Sequence, residues 1–361
     1  MSLKVGIVGA AGYAGAELIR LVLGHPEFEL VAITSNADAG QPLSAVYPSF
    51  AGVSDLVFTT HDAPELKSCN AVFLAVPHTA AMAQVPALLA AGVSCFDLSA
   101  DYRLSDPSVF EAWYAAEHTS PELLKTRAFG LPELFCRDLE TAASSHAAGK
   151  PVLVACAGCY PTATSLAAAP AVRAGWVAEN GPVIVDAISG VTGAGKSCNA
   201  RTHFCSADEN LEAYGVGKHR HTPEIEQILD LTDRVVFTPH LAPLRRGLLS
   251  TVTMPLAPQT LDTLALEDVV DHYKKFYAGR TFVRVLDAGQ QPKTASVVGT
   301  NAARLALRST SVRACWWRRV LSTICARVLR ARRSSAPTSF LALTSDEACP
   351  QWRARCSTFD C

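Results

Sequence analysis

The chain predicts an α/β fold: a doubly wound parallel sheet followed by an α+β domain. Two observations carry this. Over residues 1–150, short apolar runs alternate with helical patterns, the rhythm of parallel strands joined by crossover helices. Over residues 151–303, apolar runs follow one another without regular helices between them, which indicates a mixed or antiparallel sheet.

Lys4-Val-Gly-Ile-Val-Gly9 reads as a buried strand, and Ala16–Leu23 has helical spacing with Gly24 as its stop. Between them lies Gly9-Ala-Ala-Gly12-Tyr-Ala-Gly15. Strand, glycine turn and helix in that order suit a dinucleotide pyrophosphate. The glycines allow a tight turn and close backbone approach, and the helix N-terminus meets the phosphates. The spacing is Gly-x-x-Gly-x-x-Gly rather than Gly-x-Gly-x-x-Gly, so context carries as much of the reading as pattern does. Phe28–Ser35 is the second strand. It ends in Thr34-Ser35-Asn36, with no carboxylate before Asp38 to take the ribose hydroxyls. A small polar tip leaves room for a 2′-phosphate and favours NADP(H) over NAD(H), although no arginine sits beside it.

Ala71–His78 is another strand, Thr79–Ala91 a helix and Val93–Ser99 a strand, with Asp101-Tyr-Arg103 just beyond. In a doubly wound sheet the turns after Val8, Ile33, Val76 and Leu98 converge on one crevice. Arg103 is a candidate there for an anionic substrate group; a surface ion pair is the alternative. Ala142–Gly149, small and polar, reads as the connection between the domains.

Val152-Leu-Val-Ala-Cys-Ala-Gly-Cys-Tyr-Pro-Thr162 opens the second domain. An apolar strand turns at Gly158 and passes through Cys159 into a helix, Ala163–Ala174, with Pro161 suited to its first turn. The orphan amides and dipole of a helix N-terminus favour an anion, so Cys159 is expected to have thiolate character and to act as a nucleophile. A buried small hydrophobe is the plainer role for such a cysteine. Gly190-Val-Thr-Gly-Ala-Gly-Lys196-Ser197 matches the phosphate loop of NTPases. That loop needs a helix directly after the lysine, and the residues that follow have no helical period. It is therefore expected to line a pocket for an anionic substrate, not to bind ATP. In Tyr214-Gly-Val-Gly-Lys-His219-Arg-His221-Thr-Pro-Glu224, Pro223 starts a helix that buries Ile225, Ile228 and Leu229. His219 and His221 precede it, as acid–base partners for a thiol or as surface or capping residues.

The net charge is −1, with 49% hydrophobic and 18% charged residues. This balance argues against nucleic acid or an acidic membrane as partner. No apolar run is long enough to span a bilayer, and the first residues enter a strand without a signal-peptide core, so a cytoplasmic location is expected. Cys156 and Cys159 form one Cys-x-x-Cys with no second pair before the tail, so no metal site is expected.

Together, Gly-Ala-Ala-Gly-Tyr-Ala-Gly at 9–15, Asp-Leu-Ser-Ala-Asp-Tyr-Arg-Leu at 97–104, Ala-Gly-Cys-Tyr-Pro-Thr at 157–162, Ser-Gly-Val-Thr-Gly-Ala-Gly-Lys at 189–196 and His-Arg-His-Thr-Pro-Glu-Ile at 219–225 resemble the N-acetyl-γ-glutamyl-phosphate reductases, relatives of aspartate-semialdehyde dehydrogenase. The match runs in order from residue 1 to about 303. The resemblance implies a Rossmann domain, NADP(H), a small acyl phosphate substrate and a homodimer or homotetramer. It implies Cys159 as nucleophile, with His221 as acid–base and His219 as substrate-binding or alternate base. It implies Gly9, Ala11, Gly12, Tyr13, Ala14, Gly15, Ser35, Pro77 and Gly193 around the cofactor, and Arg103, Ser189, Lys196 and Tyr214 around the substrate. A reductase of aspartyl phosphate or a lysine-pathway homologue is a related reading. A nucleotide-binding protein without catalysis is another.

After Asn301-Ala-Ala303 the composition breaks. Residues 304–361 contain 11 arginines and no lysine, and five of the 12 cysteines. Neither sheet nor helix rhythm is legible there. A shift of reading frame near residue 304 is the expectation, with a basic nucleic-acid tail as the rival.

Overall fold

The structure, a computed structural model, describes residues 2–260, 264–311 and 319–327. Six strands form the first sheet: β1 (Leu3–Val8), β2 (Phe28–Thr34), β3 (Ala71–Leu74), β4 (Ser94–Asp97), β5 (Ala128–Gly130) and β6 (Leu153–Cys156). All pair in parallel, in the order β2-β1-β3-β4-β6-β5. Strands β3, β4 and β6 are buried along their whole length, which is why β3 and β6 read as continuous apolar runs rather than alternating ones. The accompanying helices are α1 (Tyr13–Leu23), α2 (Leu43–Val46), α3 (Val85–Ala90), α4 (Pro107–Tyr114) and α5 (Cys136–Ala147). The strand order reverses between β1 and β3, so the ligand crevice of such a sheet falls at their carboxyl ends.

Two expectations are corrected here. Helix α3 begins at Val85, not Thr79. The carboxylate of Asp101 accepts the backbone N–H groups of Thr79 (2.6 Å) and Met82 (3.1 Å), holding that stretch as a turn with Thr79 at φ 72°. Residues 142–147 are not a connection but the last turns of α5, which buries Leu139 and Ala143. The change of domain comes later, because β6 still belongs to the first sheet.

The second sheet has seven strands: β7 (Val183–Gly190), β8 (Glu212–Ala213), β9 (Val235–Ala242), β10 (Leu248–Pro255), β11 (Val283–Val285), β12 (Ala303–Ser311) and β13 (Arg319–Arg327). Their order is β11-β12-β13-β10-β7-β9-β8. Pairs β7–β9 and β11–β12 are parallel and the others antiparallel, the mixed sheet expected of this half. The sheet runs beyond the boundary at 303. Arg319–Arg327 lies between β12 and β10 and is hydrogen-bonded along both edges. Residues 312–318 and 328–361, where most of the expected frame-shifted tail falls, lie outside the described residues.

Helices α6 (Cys159–Arg173), α7 (Phe204–Ala207), α8 (Thr222–Leu229) and α9 (Leu266–Phe276) complete the second domain. Helix α6 is its axis: every residue from Tyr160 to Ala171 is buried. Its alanines let neighbouring elements approach closely on all sides. Pro170 sits inside this helix and has no N–H, so the carbonyl of Leu166 loses its helical partner. The Tyr277 hydroxyl donates to that carbonyl at 2.7 Å, and the Tyr273 hydroxyl donates to Ala167 at 2.9 Å. Helix α9 thus repairs the break and clamps α6 in place. No helix among the described residues is long and apolar enough to cross a membrane.

Candidate active site

Cys159 is the first residue of α6, with Gly158 as N-cap. The helix starts four residues before the expected Ala163, so the thiol stands on the helix end itself. The sulfur does not have the thiolate character expected of it. Burial pushes its pKa up to about 11. The amides of Tyr160 and Cys159 and the Arg103 guanidinium pull the other way, and Glu224 adds to the rise. Desolvation therefore outweighs the helix end, and the resting thiol is neutral.

Gly158 is the point on which the site converges. A Cβ built on it would lie 2.7 Å from His221 Nε2, 2.9 Å from Arg103 Nη1 and 3.0 Å from Glu224 Oε2. His221, at the N-cap of α8, is therefore brought against the cap of α6 across a long sequence separation. Burial lowers its pKa well below the ordinary histidine value, helped by the charges of Arg103, His219 and His78. Its Nδ1 is buried without a hydrogen-bond partner among the described residues. His219 lies behind it, 4.9 Å between ring centroids, and its Nδ1 accepts the His221 backbone N–H at 3.2 Å. Burial pushes its pKa down to about 4. The rings of Tyr160, Tyr214 and Phe237 surround His219 at 5.1 to 5.8 Å. Both histidines are thus neutral at pH 7, and His221 is the one beside the thiol loop.

Arg103 is not a surface ion-pair residue. It is buried, with Nε donating to the Cys156 carbonyl (2.9 Å), Nη2 to the Leu98 carbonyl (2.7 Å) and Nη1 facing Glu224 at 3.4 Å. Glu224 in turn accepts the Gly158 N–H at 2.7 Å. One arginine thus ties the ends of β4 and β6 to α8. Glu224 lies in the first turn of α8, and its link to Gly158 has no local signature in the sequence. Asp101 and Tyr160 were missed as site-shaping residues for the same reason.

Tyr214 donates its hydroxyl to the Tyr160 hydroxyl at 3.2 Å, and Tyr160 donates to the His240 carbonyl at 3.1 Å. The Ser189 hydroxyl donates to its own loop at the Gly190 carbonyl (3.0 Å) and also neighbours the Tyr160 phenol. Ser189 and Tyr214 therefore both stand beside Tyr160, the residue that follows Cys159. Gly193 packs over Ser189: a Cβ there would lie 2.6 Å from the serine oxygen. Pro77 is in the turn after β3, beside His78.

The glycine turn fits a dinucleotide. Gly9 has φ 75° and faces the Ala75 carbonyl too closely for any side chain; Gly15 leaves only 2.5 Å to Ala10. Those two glycines let β1, β3 and α1 meet. Gly12 is different: the nearest atom to a Cβ there is the Gly9 carbonyl at 3.5 Å, so its face is open. Ala11 is buried within the turn, while Tyr13 and Ala14 are exposed on its rim. At the tip of β2, Ser35 donates to Asp38 at 2.6 Å, so a carboxylate does return to the tip through the turn. Lys196 reaches the nucleotide turn of the first domain. Its ammonium donates to the Ala11 carbonyl at 3.2 Å and lies 5.0 Å over the Tyr47 ring. No α-helix follows Lys196 before Phe204, so the NTPase geometry is absent there.

Fold and site define a two-domain dehydrogenase. The profile of the semialdehyde dehydrogenase NAD binding domain matches residues 4–142, and that of the semialdehyde dehydrogenase dimerisation domain matches residues 159–316. The fold is shared with aspartate semialdehyde dehydrogenase II of Vibrio cholerae (TM-score 0.66, 11% identity, 95% of this chain and 97% of that one). It is also shared with the Candida albicans aspartate semialdehyde dehydrogenase solved with NADP (TM-score 0.64, 15% identity, 91% and 93%). Sequence similarity is greater to the N-acetyl-γ-glutamyl-phosphate reductases of Symbiobacterium thermophilum (45% identity over 313 residues, 85% of this chain and 86% of that one) and of Janthinobacterium (44% over 309 residues, 84% and 86%). The chain belongs to the N-acetyl-γ-glutamyl-phosphate reductase family, a group of oxidoreductases within the semialdehyde dehydrogenases.

Proposed function

We propose that this protein reduces N-acetyl-γ-glutamyl 5-phosphate to N-acetylglutamate 5-semialdehyde and phosphate, using NADPH, through a thioester on Cys159, as a step of arginine biosynthesis. The observation that carries the reading is a thiol at a helix N-terminus with the neutral His221 against its Gly158 cap, following a strand of the same parallel sheet that carries the open Gly12 turn.

With the thiol and imidazole both neutral at rest, His221 takes the proton from Cys159 as sulfur attacks the acyl carbon. The C–S bond forms, the C–O bond to phosphate breaks, and the acyl group remains on sulfur as a thioester. Amides at the start of α6 face the oxygen that gains charge. NADPH, when bound, supplies the hydride to the thioester carbon. Collapse then releases the aldehyde, and the proton held by His221 returns to sulfur. Arg103 and Glu224 keep the cap of α6 and the start of α8 in register throughout. For cofactor choice, the small Ser35-Asn36 tip supports NADPH, while the Ser35–Asp38 bond must open to admit a 2′-phosphate.

The open face of the second sheet, with Ile184 and Val236 exposed on adjacent strands, supports self-association as a homodimer or homotetramer through that domain. The test of function is the reverse reaction: phosphate-dependent reduction of NADP by the semialdehyde. Wild-type protein is expected to be active and Cys159→Ser to lose activity by 10³-fold or more, on the order seen for nucleophile removal. Full activity of Cys159→Ser would reject the thioester route, and higher activity on aspartate semialdehyde would reject the substrate.

A further inference from the structure

The loop Gly190–Lys196 is the one phosphate-loop-like motif of the chain, and the mechanism above leaves its lysine unused. It leaves the second sheet at Ser189, beside Tyr160 on the thiol side, and ends at Lys196 against the nucleotide turn of the other domain. Its base is anchored to the 244–247 segment. Val191 and Thr192 donate their N–H groups to the Leu244 and Arg245 carbonyls, and Gly190 donates to the Gly247 carbonyl. Arg246 of that segment forms an ion pair with Glu17 on α1. Two cations of the second domain are therefore placed on the nucleotide domain next to its glycine turn.

Only one of them has a charge left for a ligand. Arg246 is paired with a carboxylate that also holds Arg20. Lys196 meets a carbonyl oxygen and an aromatic face, neither of which cancels its charge, and it is exposed. Tyr47, under the ammonium, donates its hydroxyl to the same Ala11 carbonyl at 2.7 Å and is electrostatically coupled to Asp38 and Tyr13. The lysine thus stands over the ground between the open Gly12 face and the Ser35 tip.

We infer that Lys196 is a cofactor-binding residue that supplies, from the substrate domain, the positive charge for a phosphate of the dinucleotide. A lysine acts on phosphate as a movable point charge, and its contact with Ala11 is weak enough to exchange for an anion. Binding of cofactor then fixes the 190–196 loop where it meets the nucleotide turn and steadies Ser189 at the thiol end. The inference rests on the NADPH reading of the site.

The test is direct titration of the purified full-length protein with NADPH and with NADH, followed by cofactor fluorescence without substrate. The proteins compared are wild type, Lys196→Met and Lys196→Arg. Lys196→Met is expected to raise the NADPH dissociation constant about tenfold, the scale of one charge-assisted contact. Lys196→Arg is expected to recover most of it, and melting temperature is expected to stay unchanged. An equal loss for both cofactors assigns the contact to the pyrophosphate; a loss confined to NADPH assigns it to the 2′-phosphate. If wild type binds NADPH and Lys196→Met binds it within twofold, the inference is wrong, and a lowered melting temperature alongside would mark a purely structural tie. If wild type does not bind NADPH, the cofactor reading fails and the inference with it.

Discussion

The backbone N–H of Gly158 donates to the carboxylate of Glu224 at 2.7 Å, across 66 residues of chain. The carboxylate is 1% exposed and its second oxygen faces Arg103. One acid thus fixes the cap of the nucleophile helix and balances a buried guanidinium. Removing one partner of a buried ion pair leaves an uncompensated charge, which costs about 3–5 kcal/mol. Glu224→Ala is therefore expected to lower unfolding free energy by about 3 kcal/mol in urea titration. Glu224→Gln still accepts the Gly158 N–H and is expected to lose less. A loss below about 0.5 kcal/mol for Glu224→Ala, the range of an ordinary surface change, would show that the pair carries no structural weight.

The pH behaviour of Cys159 follows from burial. Its pKa is raised to about 11, so the thiolate fraction grows tenfold per pH unit through the neutral and mildly alkaline range. Alkylation of Cys159 by iodoacetamide, followed by peptide mass analysis, is expected to rise without a plateau from pH 7 to pH 10. A plateau below pH 8 would mean a thiolate–imidazolium pair at rest. His219 and His221 have lowered values, so the folded state holds them neutral while the unfolded chain protonates near 6.5. Their contribution to stability is present above about pH 6.5 and is lost as pH falls, for His219 through about 4, because the unfolded state binds more protons.

The three glycines of the turn are separable. Gly15→Ala drives a methyl to 2.5 Å from Ala10, so it is expected to lower both melting temperature and cofactor affinity. Gly12→Ala meets nothing closer than 3.5 Å and is expected to fold normally. Its methyl occupies the face where a pyrophosphate would approach, so NADPH affinity is expected to fall tenfold or more, about 1.4 kcal/mol or above. Normal NADPH binding by Gly12→Ala would place the cofactor elsewhere.

Strand β13 tests the unusual end of the chain. Ile324 pairs with Ala306 on one side and Thr251 on the other. Proline in a central strand removes a ladder hydrogen bond and is confined in nature to edges and bulges. Ile324→Pro is expected to abolish soluble, cooperatively melting protein. A variant with an unchanged melting curve would show that the sheet ends at β12 or β10.

Much of this molecule was legible because its signals are local. The Gly9–Gly15 turn, the buried parallel strands and Cys159 at a helix start are all set by neighbours in sequence, through backbone freedom, apolar runs and helix-end chemistry. So is the His219–His221 pair ahead of Pro223. What the tertiary structure decided depends on distant partners. Asp101 unwinds the start of the expected helix at Thr79 by taking its amides. Tyr277 permits Pro170 inside α6 by capping Leu166. Arg319–Arg327 is a strand because β10 and β12 offer two open edges, a condition its composition does not reveal. The same division holds for Cys159. A helix N-terminus alone predicts a thiolate. The packed surroundings of α6 and the carboxylate of Glu224 outweigh it, and only the folded chain shows that His221 is brought against Gly158, the residue before the thiol.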